Sequence, residues 1–344
     1  MGNSQEVTPA AISVVVITYN EAKNIRDCLD SLMALDYPSE RHEILVVDAS
    51  EDETPRIVQE YEGVRLIRSA KGFSRQKKAA LEAAKFDILA FTDADCIAPP
   101  GWLRVIDRAF QNDRVAAVGG NAFPPPGTRR FGKWTACVGH PAGGAIGFDA
   151  NVKRTAEGIP FVAGCNSAFR QRALLDVNGF GPRFQDGGED VDVSRRLRER
   201  GYFLDYVPDL TVYHKPRRTL VSYLRWNVGV GLTKFNLIEP SFARLIFQPF
   251  FPLWPALSAA LWIVFLWKHP FPAICLFAGL WVCFLAVLFL GTRPFPLLVK
   301  RRKKIGVHIL SCFTVVPILI LLRQICINIG QLKKWARVKR EGAA

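Results

Sequence analysis

After a polar lead over residues 1–10, the chain enters an apolar run, Ile12–Thr18 (ISVVVIT), with the length and β-branched content of a strand buried on both faces. Ala22–Leu35 then repeats apolar residues at helical spacing, through Ile25, Leu29 and Leu32. The alternation recurs: Glu43–Asp48 (EILVVD), Val64–Arg68 and Ile88–Thr92 read as strands, Thr54–Tyr61 and Ser74–Lys85 as helices. Strands alternating with helices at this pitch predict an α/β domain with a mostly parallel, twisted sheet covered by helices on both faces. Such sheets bind ligands outside the carboxyl ends of their strands.

The pattern changes near Arg244. Leu245–Trp267 and Phe271–Gly291 carry no acidic residue, and Lys268 is the one base between them. Each is long enough to cross a hydrocarbon core of roughly 30 Å. A third run, Ile305–Leu322, ends at Arg323, so spans are expected over residues 245–267, 271–291 and 305–325. The predicted organisation is a polar lead (1–10), an α/β catalytic domain (11–216), a juxtamembrane segment (217–244), a membrane region (245–330) and a basic tail (331–344).

Charge sharpens this division. Residues 1–244 hold 32 Lys and Arg against 30 Asp and Glu, whereas residues 245–344 hold 13 against one. The positive excess therefore sits with the apolar third, which points it at a lipid surface and away from nucleic acid. The basic clusters Lys300–Lys304 and Lys333–Arg340 both favour the cytoplasmic side, yet a full third crossing would separate them. We expect three crossings, in the cell membrane, with the large domain cytoplasmic. The start MGNSQEVTPAA lacks the pattern of a secretory leader. The eight cysteines form no CxxC pair, as expected of core residues in a reducing compartment.

Candidate chemistry lies at three predicted strand ends: Thr18-Tyr19-Asn20-Glu21, Asp48-Ala49-Ser50 and Asp93-Ala94-Asp95. Carboxylates gathered at one sheet edge repel one another unless a cation or a donor-rich ligand sits among them. A dinucleotide-binding fold is disfavoured, because the first turn, TYNEAKN, holds no glycine to bring backbone against a pyrophosphate. A bound diphosphate would then be neutralised by a metal. Asp93 and Asp95, at i and i+2, suit one Mg2+ or Mn2+ ion, although an isolated Asp-x-Asp also suits a capped turn before Pro99-Pro100.

In this order and spacing, ISVVVITYNE, DASEDET, FTDADC, GCNSAFR and GEDVDVSRRLRERG resemble the motifs of family 2 glycosyltransferases, inverting enzymes with the Rossmann-like GT-A fold. The resemblance covers residues 10–215. It implies that Thr18, Tyr19 and Glu21 line the nucleobase and ribose, that Asp48 accepts from the base, and that Arg75 approaches the nucleotide from the side. It further implies Asp93 beside ribose or metal, Asp95 on the metal, and Asp190 as general base. Asn166, Ser167 and Glu189 fall on the sugar or acceptor side, His214 reaches the diphosphate or the metal, and Arg217 faces phosphate. The implied donor is a nucleotide-diphosphate sugar, UDP-linked.

Thr219–Leu237, with Arg225 and Lys234 among aromatic residues, reads equally as an interfacial helix or as one packed on the catalytic domain. Processive members of the family carry QxxRW here; this chain has Ser222-Tyr223-Leu224-Arg225-Trp226, without the Gln. The expectation is transfer of single sugars to a lipid-linked acceptor. A small processive synthase and an inactive nucleotide-binding membrane scaffold are the rival readings.

Overall fold

The computed structural model describes residues 8–139, 144–150, 152–238, 279–282, 284–286 and 294–341. Its contacts group Met1–Pro126 with Pro141–Lys215, and Gly127–His140 with Pro216–Ala344.

In the first unit, β1 (Ile12–Thr18), β2 (His42–Asp48), β3 (Val64–Arg68) and β4 (Ile88–Asp93) form the parallel half of an eight-stranded sheet, in the order β3-β2-β1-β4. All seven residues of β1 are buried, as expected of a central strand under helices on both faces. The helices between these strands are α1 (Ile25–Met33), α2 (Thr54–Gln59) and α3 (Phe73–Ala83), with each end within a turn of the predicted one. Strand register sets the site. Thr18 lies opposite Asp48, and Ile17 opposite Asp93, so three predicted ligand residues share one edge.

The other half of this mostly parallel sheet is mixed in direction. After β5 (Cys96–Ile97) and α4 (Trp102–Phe110) come β6 (Val115–Phe123), β7 (Asn166–Arg170), α6 (Gln171–Asp176), α7 (Glu189–Glu199) and β8 (Phe203–His214), completing the order β4-β7-β6-β8-β5. β7 runs antiparallel between β4 and β6, and β5 antiparallel to β8, whereas β6 and β8 are parallel to each other. An antiparallel neighbour needs no crossover helix, so the alternating pattern that announces the first half is missing here.

Two close approaches hold this half. A Cβ on Gly120 would lie 1.9 Å from the Leu210 carbonyl oxygen, so β6 and β8 meet where only glycine fits. Phe91, Phe169 and Phe180 pack edge to face, with centroids 5.6–6.2 Å apart, under the β4–β7 pair.

The second unit contains α5 (Arg130–Ala136), α8 (Leu220–Ile238), α9 (Pro294–Ile305), α10 (Ile309–Phe313) and α11 (Val315–Glu341). It thus takes in α5 from within the span expected for the catalytic domain. α8 packs along α11: a Cβ on Gly231 would lie 2.1 Å from the Ile327 oxygen and one on Gly330 2.1 Å from the Val228 oxygen, and Tyr223 donates to the Leu319 oxygen at 3.2 Å. The cluster Lys300–Lys304 lies in α9, which stops at Gly306 with φ +69°. Among the described residues the α10–α11 stretch Ile309–Arg340 is the one helical segment long and apolar enough to cross a membrane, and it continues through the stretch expected as a basic tail. The expected span Leu245–Trp267 lies outside the described residues. Of Phe271–Gly291, residues 279–282 and 284–286 are described, and they are helical.

Candidate active site

β1 ends in a turn that needs no glycine because Asn20 takes the left-handed conformation, φ +56°, which Asn tolerates better than most residues. This turn is laced to the one after β2: the Asn20 amide donates to Ser50 Oγ (2.7 Å), the Glu21 amide to Thr54 Oγ1 (2.9 Å), and Asn20 Oδ1 accepts from the Glu51 amide (2.9 Å). From α3, Gln76 Nε2 donates to the Thr18 and Val47 oxygens, both at 2.9 Å, clamping the ends of β1 and β2. Thr18 Oγ1 is buried and makes no hydrogen bond, leaving one polar atom beside this turn for a ligand.

Asp48 is fully buried. Its Oδ1 accepts from the Ser50 amide (3.2 Å) and Oγ (2.5 Å), and its Oδ2 pairs with Arg68. A donor on a nucleobase would therefore share Oδ2 with Arg68. Tyr19 lies under Lys71, whose Nζ is 3.7 Å from the ring centroid, and Glu21 accepts from Asn24 Nδ2 at 2.7 Å. Arg75 is exposed and donates to the Lys71 oxygen at 2.9 Å.

β5 begins directly after Asp95 and pairs with the end of β8, Cys96 opposite His214. This pairing brings His214 Nε2 to 3.3 Å from Asp95 Oδ1 and 4.0 Å from Asp93 Oδ2. His214, expected to reach the diphosphate or the metal, thus joins the two aspartates. The Asp93 carboxyl is pushed up to about 6, first by desolvation and then by the charge of Asp95. Two carboxylates beside one imidazole make an oxygen–nitrogen donor set that suits Mg2+ or Mn2+. Cys96 forms, with Asp95 and His214, a group of possible ligand atoms within 4.8 Å of one another, but burial drives its thiol well above the usual range, so it offers a protonated sulfur.

Asp190 and Glu189 open α7. Gly188 before them is left-handed, φ +91°, and the acids sit where a helix start favours negative charge. Asp190 Oδ2 accepts from the Gly164 amide (3.0 Å) and Oδ1 from the Val191 amide (2.8 Å), while Ser194 Oγ donates to the Asp190 carbonyl (2.6 Å). The carboxylate is half-buried and close enough to act on that of Asp93. Glu189 is directed elsewhere: its Oε1 holds the buried Lys77 ammonium at 2.6 Å.

Asn166 is not brought to this cluster. Asn166 Nδ2 donates to the Asn121 and Leu210 oxygens (2.8 and 2.9 Å) and its Oδ1 accepts from Trp102 Nε1 (2.9 Å), so its side chain ties β6, β8 and α4 together. Arg217 groups with the C-terminal unit, where its guanidinium lies 5.7 Å from the Trp226 ring centroid. Ser167 Oγ is buried in β7 without a hydrogen-bond partner. Residues absent from the expectations are Gln76, Lys77, Gly164 and Arg68. Lys77 was discoverable, since Ala80 and Leu81 at i+3 and i+4 place it on the inner stripe of its helix.

With this geometry in view, the comparisons are specific. The family description "Glycosyltransferase like family 2" matches residues 9–228. Glycosyltransferase AglE of Haloferax volcanii is 28% identical over 275 residues, covering 75% of this chain and 82% of that protein. The beta-monoglucosyldiacylglycerol synthase of Synechocystis is 29% identical over 208 residues, or 57% of this chain; the match spans 42% of the synthase. Among solved structures, mannosyltransferase PcManGT from Pyrobaculum calidifontis, in complex with GDP-Man and Mn2+, superimposes with a TM-score of 0.57 at 21% identity, over 96% of this chain and 90% of that one.

Proposed function

The chain belongs to glycosyltransferase family 2, and on that premise we propose that it transfers a single sugar, with inversion, from a UDP-linked donor to a lipid-linked acceptor. The meeting of Asp93, Asp95 and His214 at the sheet edge that also holds Thr18 and Asp48 carries this reading. Asp95, with Asp93 and His214, would hold a divalent ion, which would supply the positive charge that makes the diphosphate a leaving group.

Asp190 is the general base. The acceptor hydroxyl oxygen attacks the anomeric carbon on the face opposite the diphosphate, its proton passes to the Asp190 carboxylate, and the bond from carbon to the diphosphate oxygen breaks. One displacement inverts the configuration. The Gly164 and Val191 amides hold the carboxylate in place beforehand, so no reorganisation is needed at the moment of attack. Tyr19, Glu21 and Arg75 border the nucleotide, and Ser167 the sugar side.

The lipid acceptor and the integral membrane location are supported by the Ile309–Arg340 segment and by the basic excess beside it. The catalytic unit then faces the cytoplasm, with the cluster Lys300–Lys304 on the same side. The test incubates the purified full chain with UDP-glucose, UDP-N-acetylglucosamine and GDP-mannose, with Mg2+ or Mn2+, and with polyprenyl phosphate, diacylglycerol or water-soluble sugar acceptors. Metal-dependent transfer from a UDP-sugar to a lipid is expected. Transfer restricted to GDP-mannose overturns the donor assignment, and equal turnover on water-soluble acceptors overturns the lipid assignment.

A further inference from the structure

Lys77 has no part in the chemistry above, yet it is among the most constrained side chains in the molecule. It is 2% exposed, and its Nζ donates to Glu189 Oε1 at 2.6 Å. The ammonium lies between two rings, 5.3 Å from the centroid of Phe91 and 5.4 Å from that of Phe180. Gly164 approaches from another side: a Cβ there would sit 2.9 Å from Lys77 Nζ, 3.6 Å from Asp190 Oδ2 and 3.7 Å from Glu189 Oε1. One cation and two carboxylates thus converge on a backbone position whose amide also holds the base.

The groups facing Lys77 are Glu189 and Asp190 from α7 and Asp93 from β4. Burial pulls the ammonium down, but these three carboxylates, Glu189 first, outweigh it and hold Lys77 above its ordinary range. α3 carries three consecutive residues with different attachments. Arg75 is at the surface, Gln76 clamps the ends of β1 and β2, and Lys77 reaches the first residue of α7. The same helix therefore touches both the edge assigned to the nucleotide and the turn bearing Asp190.

We propose that Lys77 is a positioning residue for transfer, pinning the first turn of α7 through Glu189 so that Asp190 is held against Gly164, and offsetting the negative charge gathered there. It touches neither donor nor acceptor. This inference rests on the reading of Asp190 as the base. A flat structural role would predict loss of stability and of nucleotide binding together; a pin predicts loss of turnover alone, because Gln76 keeps the β1 and β2 ends in place without Lys77.

The experiment uses the full chain, the most active donor of the three named above with its acceptor, and UDP with Mn2+ as binding probe. Lys77→Met strands the Glu189 carboxylate, whereas Lys77→Met with Glu189→Gln leaves no unpaired charge and keeps the fold testable if the single variant fails to fold. In the single variant kcat should fall about 10²-fold, the scale of a misplaced reacting group, and in the double variant about tenfold, with UDP affinity within about twofold of wild type in both. Wild-type kcat in either folded variant overturns the proposal, as does UDP affinity falling in step with kcat. If the wild-type protein transfers no sugar from any donor, the functional reading itself fails and this inference falls with it.

Discussion

Replacing Asp190 by Asn keeps the side chain's shape and removes its capacity to take a proton. General-base catalysis contributes about 10²–10⁴ in rate, which corresponds to roughly 2.7–5.5 kcal/mol of barrier. The structure adds a stability term. Asp190 accepts from two amides, Gly164 at 3.0 Å and Val191 at 2.8 Å, and Asn has one carbonyl oxygen to offer them. The other amide then meets an NH2 group, which costs about 1–3 kcal/mol where solvent is excluded and less at this half-buried position. Loss of the anion at a helix start adds about 0.3–1 kcal/mol. Asp190→Asn should therefore melt a few degrees lower and bind UDP with Mn2+ as wild type does, while kcat for sugar transfer falls at least about 10²-fold. The assay is UDP release at saturating donor and acceptor, beside a UDP titration. A folded variant with kcat within tenfold of wild type would refute the base assignment, and would point instead to an acceptor phosphate that has no proton to give up.

Three further outcomes follow from the same geometry. Asp95→Ala should abolish Mn2+-dependent UDP binding, and His214→Ala should weaken it at least about tenfold; affinity unchanged by EDTA in the wild-type protein would remove the metal from the site. Gly120→Ala places a methyl 1.9 Å from the Leu210 oxygen and should cost about 1–3 kcal/mol in urea denaturation, whereas Gly63→Ala, with open space at its Cβ but φ +80°, tests backbone strain without crowding. Burial raises the Glu43 carboxyl, but the Lys85 amide, the Ser13 hydroxyl and Arg65 outweigh it and hold it below its usual value. A lowered carboxylate stabilises the fold above its unfolded pKa and loses that contribution as pH falls through its folded one. The destabilisation by Glu43→Gln should accordingly be full near neutrality and shrink in acid below the ordinary carboxylate range; a constant difference from pH 7 to pH 3 would contradict the assignment.

Much of the first half of the sheet was legible in the sequence because each element there carries its own period. Ile12–Thr18 and Val64–Arg68 were bounded to the residue, the first because a continuous apolar run ended by polar residues admits few other readings. β7 and β5 carried no comparable signal. β5 is two residues long, and β7 gains its orientation from pairing with β4 and β6 rather than from anything within NSAFR. α5 was hidden for the same reason: its grouping with the C-terminal helices is a matter of contacts far along the chain.

The candidate site divides along the same line. From the sequence alone came the three strand ends, with Thr18, Asp48, Asp93 and Asp95, because a parallel α/β order places strand ends at one edge whatever the details of packing. The family resemblance added Asp190, on a motif that is local in the chain. Only the tertiary structure decided that His214 stands beside Asp95, that Asp48 is already paired with Arg68, that Asn166 is bound up inside the sheet, and that Lys77 and Glu189 meet across 112 residues of sequence. Hydrophobic periodicity reports which face of an element is buried, but the partner of a buried polar group is set by register and by the approach of other backbones. Neither leaves a trace in local pattern.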